Sequence, residues 1–270
     1  MNTAAAIPAR LVAATGISKS YSQVQALAPL DLTIHAGELV ALAGPSGSGK
    51  TTLLYILGGV VQPDEGEIVI DGRPLRRMRP GKDLAALVGL VHQNYDLVPQ
   101  LPVIQNVLAG MLGQWGLLRS AISLLWPRDR QRAEKVLAEL GLADKVLERT
   151  SHLSGGEQQR VAIARLMVQS PRIVLADEPV SSLDPVLSEE ILRLLTGIAD
   201  SPGRTLVASL HSPNMIRRYF TRVIGLREGV LQFDMPSSGL TDDVLAQLYE
   251  LNHRGELDRP GTGEAAAEVS

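Results

Sequence analysis

Strand-length apolar runs, most of them ending in a polar or glycine-rich turn, recur along the chain and predict its central sheet. The runs at residues 38–43, 87–91, 172–178 and 205–210 are nearly continuous, which is typical of parallel strands buried on both faces. Further strands are predicted at residues 10–17, 30–34 and 67–71, with connections at 18–22 and 26–29 separating the first two, and a terminal hairpin at 222–226 and 230–233.

Helical periodicity occupies much of the sequence between these runs. Helices are predicted at residues 53–57, 128–140, 161–168, 186–198 and 241–251, the last with Thr241 as its N-cap. Alternating strands and helices predict an α/β sheet whose ligands bind at the carboxyl ends of its strands. An antiparallel set of strands is expected to flank this sheet at the N-terminus.

One domain is predicted at residues 10–252, with a mostly helical second lobe at roughly 94–168 and a disordered tail at 253–270. The lobe follows from the helical period between residues 103 and 147, where Gly110, Gly113 and Gly116 weaken the first helix. The tail is polar and rich in Gly, Pro, Glu and Ala, a composition that favours disorder.

Composition and charge exclude several classes of function. With 270 residues and 45% hydrophobic content, the chain can bury one large core, or one core and a smaller lobe. The formal net charge of -3 gives no reason to expect nucleic-acid binding, and the lack of cysteine excludes disulfides and thiolate sites. No signal-peptide pattern opens the chain, and its apolar stretches fall short of the roughly 20 residues that span a bilayer, so it is not expected to cross a membrane by itself.

Residues 44–52, with the sequence GPSGSGKTT, match the phosphate-loop pattern G-x-x-x-x-G-K-[ST] between a predicted strand and a predicted helix. Glycines there let backbone N–H groups and the helix N-terminus face a phosphate, which a flexible linker in another context would not do. Lys50 is expected to reach the β- and γ-phosphates, and the Thr51 hydroxyl to bind Mg²⁺. The predicted nucleotide-binding residues of this loop are Gly44, Pro45, Ser46, Gly47, Ser48, Gly49, Lys50, Thr51 and Thr52.

Four polar residues follow the other predicted strands. Asp177 is expected to hold Mg²⁺, and Glu178 to orient or deprotonate the water that attacks the γ-phosphate. His211 is expected to hydrogen-bond the γ-phosphate or to fix the geometry between Glu178 and the water. Gln93 is expected to meet Mg²⁺ or that water with its amide oxygen. Each residue alone has a structural alternative, namely a solvated strand end, a structural histidine or a loop glutamine, and only the set of four favours catalysis.

A second Ser-Gly-Gly turn, at Ser154, Gly155 and Gly156, begins another predicted helix and is an anion site by the same backbone argument. One nucleotide does not need two complete phosphate cradles in one small domain. A symmetric dimer resolves the conflict, because each subunit's turn then meets the other subunit's ATP.

Tyr21 lies upstream of the phosphate loop in a chain with only 3% aromatic residues. Alone, it is interpreted as a turn residue lying on the sheet. Together with the later motifs, it is interpreted as a residue that stacks on a nucleobase.

With these motifs in this order, residues 10–252 resemble the ATP-binding cassette (ABC) transporter ATPases. The corresponding motifs are the A-loop Tyr21, Walker A at 44–52, the Q-loop Gln93, the signature at 153–158, Walker B at 173–177, the catalytic Glu178, the D-loop at 181–184 and the switch His211. The resemblance implies a P-loop NTPase core with an antiparallel β subdomain and a helical signature subdomain.

The resemblance also implies ATP and Mg²⁺ as ligands and a second copy of the chain as a partner. Closure of this ATP-sandwich dimer would drive transmembrane permease subunits from the cytoplasmic face of the cell membrane. ATP contacts from the opposite subunit would come from Ser154, Gly155, Gly156, Glu157 and Asp184, and Mg²⁺ would be held by Thr51, Gln93 and Asp177.

Several segments look like those of the ATPase of phosphonate importers, namely residues 106–110, 141–145, 175–179, 217–219 and 223–227 and the insertion that contains Trp115. This similarity implies uptake of phosphonates, or of related oxyanions such as phosphite, supplied by a periplasmic or lipid-anchored binding protein. His92 and the pair Ser212 and Pro213 depart from the expected pattern.

Three other functions stay open at the level of sequence. The ATPase of an exporter or of a lipoprotein-release system would also suit residues 57–59 and 153–157. An ABC ATPase that acts on DNA or ribosomes would need a long coiled coil, zinc-binding cysteines or two cassettes in one chain, none of which is found here. An uncoupled nucleotide-binding module would bind ATP without turnover.

Overall fold

The computed structural model describes residues 9–92, 95–114, 127–181, 183–199 and 203–249. Gln93, Ser182 of the D-loop, the segment around Trp115 and the predicted tail at 253–270 lie outside these ranges.

Ten strands and eight α-helices can be followed in the described residues. The strands are β1 (Arg10–Tyr21), β2 (Val24–His35), β3 (Leu39–Ala43), β4 (Glu65–Ile70), β5 (Arg73–Pro74), β6 (Val88–Val91), β7 (Ile173–Ala176), β8 (Thr205–Ser209), β9 (Arg222–Arg227) and β10 (Val230–Pro236). The helices are α1 (Lys50–Leu57), α2 (Ala85–Leu87), α3 (Val103–Leu108), α4 (Pro127–Glu139), α5 (Gly155–Gln169), α6 (Pro185–Ala199), α7 (Pro213–Tyr219) and α8 (Asp242–Tyr249).

The main sheet has six strands in the order β10, β9, β3, β8, β7, β6, with only β10 antiparallel to its neighbour. All residues of β7 and β8 are buried, as the continuous apolar runs predict for parallel strands. Strand β8 lies between β3, which leads into the phosphate loop, and β7, which carries the Walker B acid. The predicted α/β fold is thus confirmed.

A second, four-stranded sheet in the order β2, β1, β4, β5 is antiparallel throughout. It confirms the predicted antiparallel β subdomain at the N-terminus. One hydrophobic core lies between this sheet, α1 and one face of the main sheet, and a second core packs the other face against α5, α6 and the helices around them.

The predicted connections at 18–22 and 26–29 are wrong, because β1 and β2 form one long hairpin with Tyr21 paired to Val24. Only Ser22 and Gln23 make the turn, and the left-handed φ of 54° at Ser22 suits a two-residue hairpin. Pro29 is tolerated in β2 because β2 is the outer strand of its sheet and its register with β1 shifts at this point.

The helical lobe begins with α3, which ends at Leu108 and continues as a 3₁₀ segment over Ala109–Gln114. Gly110 and Gly113 lie in this tighter segment, as their weak helix propensity predicts. Gly110 has a packing reason as well, since a Cβ there would come within 2.4 Å of the Arg165 carbonyl oxygen.

Helix α7 follows β8 and is not predicted from the sequence. Pro213 stands at its first turn, directly after Ser212, which is a common way to begin a helix. The pair Ser212 and Pro213, noted above as a departure from the family pattern, therefore forms a helix start.

Candidate nucleotide site

Glycine is required at two positions of the phosphate loop for steric reasons. Gly44 and Gly49 have φ values of 147° and 100°, in the range that side chains rarely adopt. A Cβ at Gly44 would lie 2.0 Å from the Leu226 carbonyl oxygen, and a Cβ at Gly49 would lie 2.5 Å from that of Ala26. The loop therefore packs directly against β9 and β2, which holds its backbone in one shape.

Lys50 is the first residue of α1 and is only 5% exposed. Its Nζ donates hydrogen bonds of 2.8 Å to the carbonyl oxygens of Gly44 and Pro45. Burial lowers the pKa of Lys50, while the nearby carboxylates of Glu178 and Asp177 act in the opposite direction. The Lys50 side chain thus spans the loop and interacts electrostatically with the carboxylates of Asp177 and Glu178.

Asp177 lies at the end of β7 and is 4% exposed. Its Oδ1 accepts a hydrogen bond of 3.1 Å from the Thr51 hydroxyl and one of 2.8 Å from the Ser209 hydroxyl. Although β8 separates β7 from β3, the Walker B carboxylate reaches the phosphate-loop helix in this way. The predicted Mg²⁺ ligands Thr51 and Asp177 are therefore direct neighbours.

Glu178 adopts a left-handed backbone conformation with φ of 46°, which is uncommon for a residue other than glycine. Its Oε1 lies 2.8 Å from Nε2 of His211, and its N–H donates a 2.7 Å hydrogen bond to the Ser209 hydroxyl. Non-glycine residues with positive φ are often found at functional sites. The two residues predicted to act on the attacking water are thus in contact.

A cavity of about 280 Å³ lies above the phosphate loop. Its lining brings together Tyr21 from the end of β1, Glu178 from the end of β7, and residues of the loop itself. The lining residues are Tyr21, Ala26, Ser46, Gly47, Ser48, Gly49, Lys50, Thr51, Thr52 and Glu178. Tyr21 is 47% exposed, so its ring is available at the cavity rim.

The signature residues 154–157, all of which the structure describes, do not line this cavity. Ser154 is the N-cap of α5 and forms a capping box with Glu157, whose carboxylate accepts hydrogen bonds of 2.8 Å from both the N–H and the hydroxyl of Ser154. These hydrogen bonds lower the pKa of Glu157, and the one from the Ser154 backbone N–H has the largest effect. The Ser-Gly-Gly turn therefore has its own rigid support away from the phosphate loop.

Asp184 is also exposed and caps a helix, since its Oδ1 accepts hydrogen bonds of 3.0 Å from the N–H groups of Val186 and Leu187 at the start of α6. Helix α6 lies against the signature turn, because a Cβ at Gly156 would come within 2.6 Å of the Leu187 side chain. The start of α6, which Asp184 caps, and the signature turn are therefore neighbours.

Three side chains at the site are missing from the sequence-based predictions. Ser209 contacts both acids, as described above. Tyr249, at the end of α8, accepts a 3.3 Å hydrogen bond from the Gly44 N–H with its hydroxyl, and burial raises its pKa. His92, noted above as a departure from the family pattern, has its Nδ1 3.0 Å from the Tyr55 hydroxyl and its Nε2 3.1 Å from Asp96 Oδ2. It therefore connects the phosphate-loop helix α1 to the segment after Gln93.

The donor set fits Mg²⁺, which prefers a few oxygen ligands from the protein and takes the others from phosphates and water. Thr51 and Asp177 supply such oxygens next to the phosphate loop. Within the described ranges, no group of three or more His, Cys, Asp or Glu side chains is arranged to hold a metal by itself.

Comparison with known proteins agrees with this geometry. The family model described as ABC transporter matches residues 27–181, more than half of the chain. The chain belongs to the ABC transporter family. It is an ATP-binding subunit of that family and an ATPase.

Among the curated relatives of this ABC ATPase is the phosphonates import ATP-binding protein PhnC of Pseudomonas putida, 47% identical over 236 residues, which are 87% of this chain and 88% of the relative. The protein of the same name from Pseudomonas entomophila is 46% identical and aligns over 85% and 88% of the two chains.

Among solved structures, the ATP-binding cassette MJ0796, a dimer in a post-hydrolysis state bound to ADP and Pi, superimposes with a TM-score of 0.74 at 32% identity, covering 85% of this chain and 100% of its own. CbiO1 from Clostridium perfringens, part of the transporter complex cbiONQ, has a TM-score of 0.72 at 28% identity and aligns over 93% and 96% of the two chains. None of the helices in the described ranges of this ABC ATPase is both long enough and apolar enough to cross a membrane.

Proposed function

We propose that this chain is the ATPase subunit of an importer for phosphonates or related phosphorus oxyanions. The observation that carries the proposal is the 47% identity, over most of both chains, to a relative named as a phosphonates import ATP-binding protein. The same observation favours import over the exporter and lipoprotein-release alternatives.

In the proposed reaction, Lys50 and the N–H groups of residues 46–52 bind the β- and γ-phosphates, and Tyr21 stacks on the base. Glu178 orients the attacking water and accepts its proton, while His211 holds the Glu178 carboxylate in place through their 2.8 Å contact. Gln93, which lies outside the described residues, is proposed to meet Mg²⁺ or the attacking water with its amide oxygen.

Thr51, Asp177 and Gln93 are the proposed protein ligands of Mg²⁺. When bound, Mg²⁺ neutralises charge that develops on the phosphate oxygens. The hydrogen bonds that Thr51 and Ser209 donate to Asp177 hold its carboxylate in a fixed position beside the loop.

The active form is proposed to be a dimer in which Ser154, Gly155, Gly156, Glu157 and Asp184 of one subunit complete the ATP site of the other. The separation of the signature turn from the cavity within one chain supports this arrangement, as does the dimeric state of the MJ0796 cassette. N–H groups at the start of α5 then face the γ-phosphate of the partner's nucleotide.

The permease partner is proposed to dock on residues 94–102 and the adjoining helical lobe. Val98 and Leu101 support this surface, since they are large apolar side chains with 48% and 37% exposure. The chain would then work at the cytoplasmic face of the cell membrane, and an external binding protein would deliver the substrate to the permease.

The test is ATP hydrolysis by the chain reconstituted with its permease and binding protein in liposomes. An alkylphosphonate or phosphite is expected to stimulate hydrolysis severalfold, whereas a carboxylate analogue of the same size is not. Stimulation from the side of the ATPase, or by lipoprotein alone, would assign the chain to an export or release system instead.

A further inference from the structure

Ser209 occupies the central position of the hydrolytic site although it belongs to none of the motifs described above. It is the last residue of β8, where it pairs with Leu42 of β3, and its neighbour Ala208 pairs with Ala176 of β7. It is fully buried in a strand whose next three residues toward the start, Leu206, Val207 and Ala208, are apolar. An apolar residue would suit this packing, so packing alone does not explain why a hydroxyl is buried at position 209.

The Ser209 hydroxyl contacts both acids of the site. It accepts the Glu178 N–H at 2.7 Å and lies 2.8 Å from Asp177 Oδ1. A hydroxyl has one proton to donate, and an ionised carboxylate can only accept, so the proton of Ser209 points to Asp177. One side chain thus links the backbone of Glu178 to the carboxylate of Asp177.

The left-handed backbone at Glu178 explains why such a link is needed. With φ of 46°, the Glu178 N–H leaves the ladder of parallel strands and bonds the Ser209 side chain instead. A buried N–H without a partner costs about 1–3 kcal/mol, so loss of the hydroxyl favours a different backbone conformation at this residue. The Glu178 carboxylate would then leave its position beside His211.

We infer that Ser209 is a positioning residue for ATP hydrolysis, which holds Glu178 and Asp177 in a fixed mutual arrangement. The inference rests on the proposed role of Glu178 in orienting water. Ser209 at the end of β8 contacts the backbone of Glu178, and His211, two residues further on, contacts its carboxylate.

The same strand offers a matched control. Thr205, at the other end of β8, is also fully buried, accepts the Gly37 N–H at 3.0 Å and donates to the His35 carbonyl oxygen at 3.2 Å. Thr205 therefore has the same type of hydrogen bonds as Ser209, but far along the strand from the acids. Thr205→Val tests what the loss of a buried hydroxyl does to the fold alone.

The experiment compares Ser209→Thr with the isosteric Ser209→Val in the full-length protein, measuring kcat, KM for ATP and thermal stability. Ser209→Val is expected to have a kcat at least tenfold below that of Ser209→Thr, because the Glu178 N–H loses its partner. The KM values for ATP should agree within about twofold, because Asp177 keeps its hydrogen bond from Thr51. Thr205→Val is expected to lower Tm while kcat changes by less than about twofold. Ser209→Ala, which adds no volume, replaces Ser209→Val if that variant fails to fold.

Equal kcat values for Ser209→Thr and the hydroxyl-free variant would overturn the inference, and so would an equal loss of kcat in Thr205→Val. Glu178→Gln in the same assay separates this result from a failure of the proposed function. If Glu178→Gln is inactive, equal values at Ser209 refute the positioning role alone; if Glu178→Gln is active, the assigned role of Glu178 is refuted as well.

Discussion

The phosphate loop and the signature turn both lie at the N-termini of helices, but they are held in different ways. The phosphate loop is held by long-range contacts, since β9 packs on Gly44 and Asp177 accepts a hydrogen bond from Thr51. Residues from β1, β2 and the end of β7 complete the lining of the cavity. The signature turn is supported locally, by the capping box between Ser154 and Glu157. In the proposed dimer, one chain would therefore assemble the phosphate-loop half of each site from distant elements and present the signature half, formed by local contacts, on a separate surface.

The largest effect is expected at the phosphate-loop half for Glu178→Gln. Loss of the carboxylate that accepts the proton of water should lower kcat by about 10²-fold or more, while ATP binding is retained. Because ATP hydrolysis no longer causes the closed dimer to dissociate, an ATP-bound dimer should accumulate and be detected by size-exclusion chromatography. A fully active variant would remove Glu178 from the proposed mechanism.

Lys50→Ala is expected to weaken ATP binding by about 10- to 100-fold, since it removes the buried charge that faces the phosphates. Nucleotide titration followed by fluorescence measures the change. Lys82→Ala, which removes an exposed lysine outside the cavity lining, serves as the control and should bind ATP like the unmodified chain. Similar affinities in the two variants would argue against phosphate binding by Lys50.

Ser154→Asp separates the capping role of the signature serine from its proposed contact with the partner's ATP. Aspartate is a good N-cap, and the helix N-terminus offsets part of its repulsion with the Glu157 carboxylate, so any loss of thermal stability should be smaller than in Ser154→Ala. Its carboxylate would repel the γ-phosphate across the dimer, and hydrolysis should fall at least about tenfold. If hydrolysis persists while Ser154→Ala, which loses the cap, is destabilised, the serine is only a cap and the two halves do not meet as proposed.

The smallest effect is expected for Tyr249→Phe, which removes the hydroxyl that accepts the Gly44 N–H. A single neutral hydrogen bond contributes about 0.5–1.5 kcal/mol, so ATP affinity should fall by about threefold with little change in kcat. An unchanged affinity would show that α8 does not support the phosphate loop.

The same difference between local and long-range contacts explains which features the sequence could reveal. The phosphate loop and the signature turn are recognisable because their glycines, lysine and serine are close together in the chain. Asp177, Glu178 and His211 are predictable because each follows an apolar strand.

Ser209 and Tyr249 escape sequence-based prediction because their roles depend on spatial neighbours that are far away in sequence. Ser209 matters only because β8 lies between β3 and β7, and Tyr249 only because α8 ends near Gly44. A serine at the end of an apolar run is the sole local signal for the first, and an ordinary amphipathic helix gives none for the second. The first hairpin is predicted too short for a related reason, since polar side chains on an exposed sheet imitate a loop.

The position of β8 in the sheet also bears on how the protein is made. Strand β3 leaves the ribosome early, yet the strand that must lie beside it is synthesised about 160 residues later, with β9 following. A nascent or prematurely ended chain that lacks β8 has the lysine loop but neither Ser209 nor His211. With the roles proposed for Ser209 and His211, newly made chains would become able to hydrolyse ATP only after β8 is synthesised, when most of the fold is already in place.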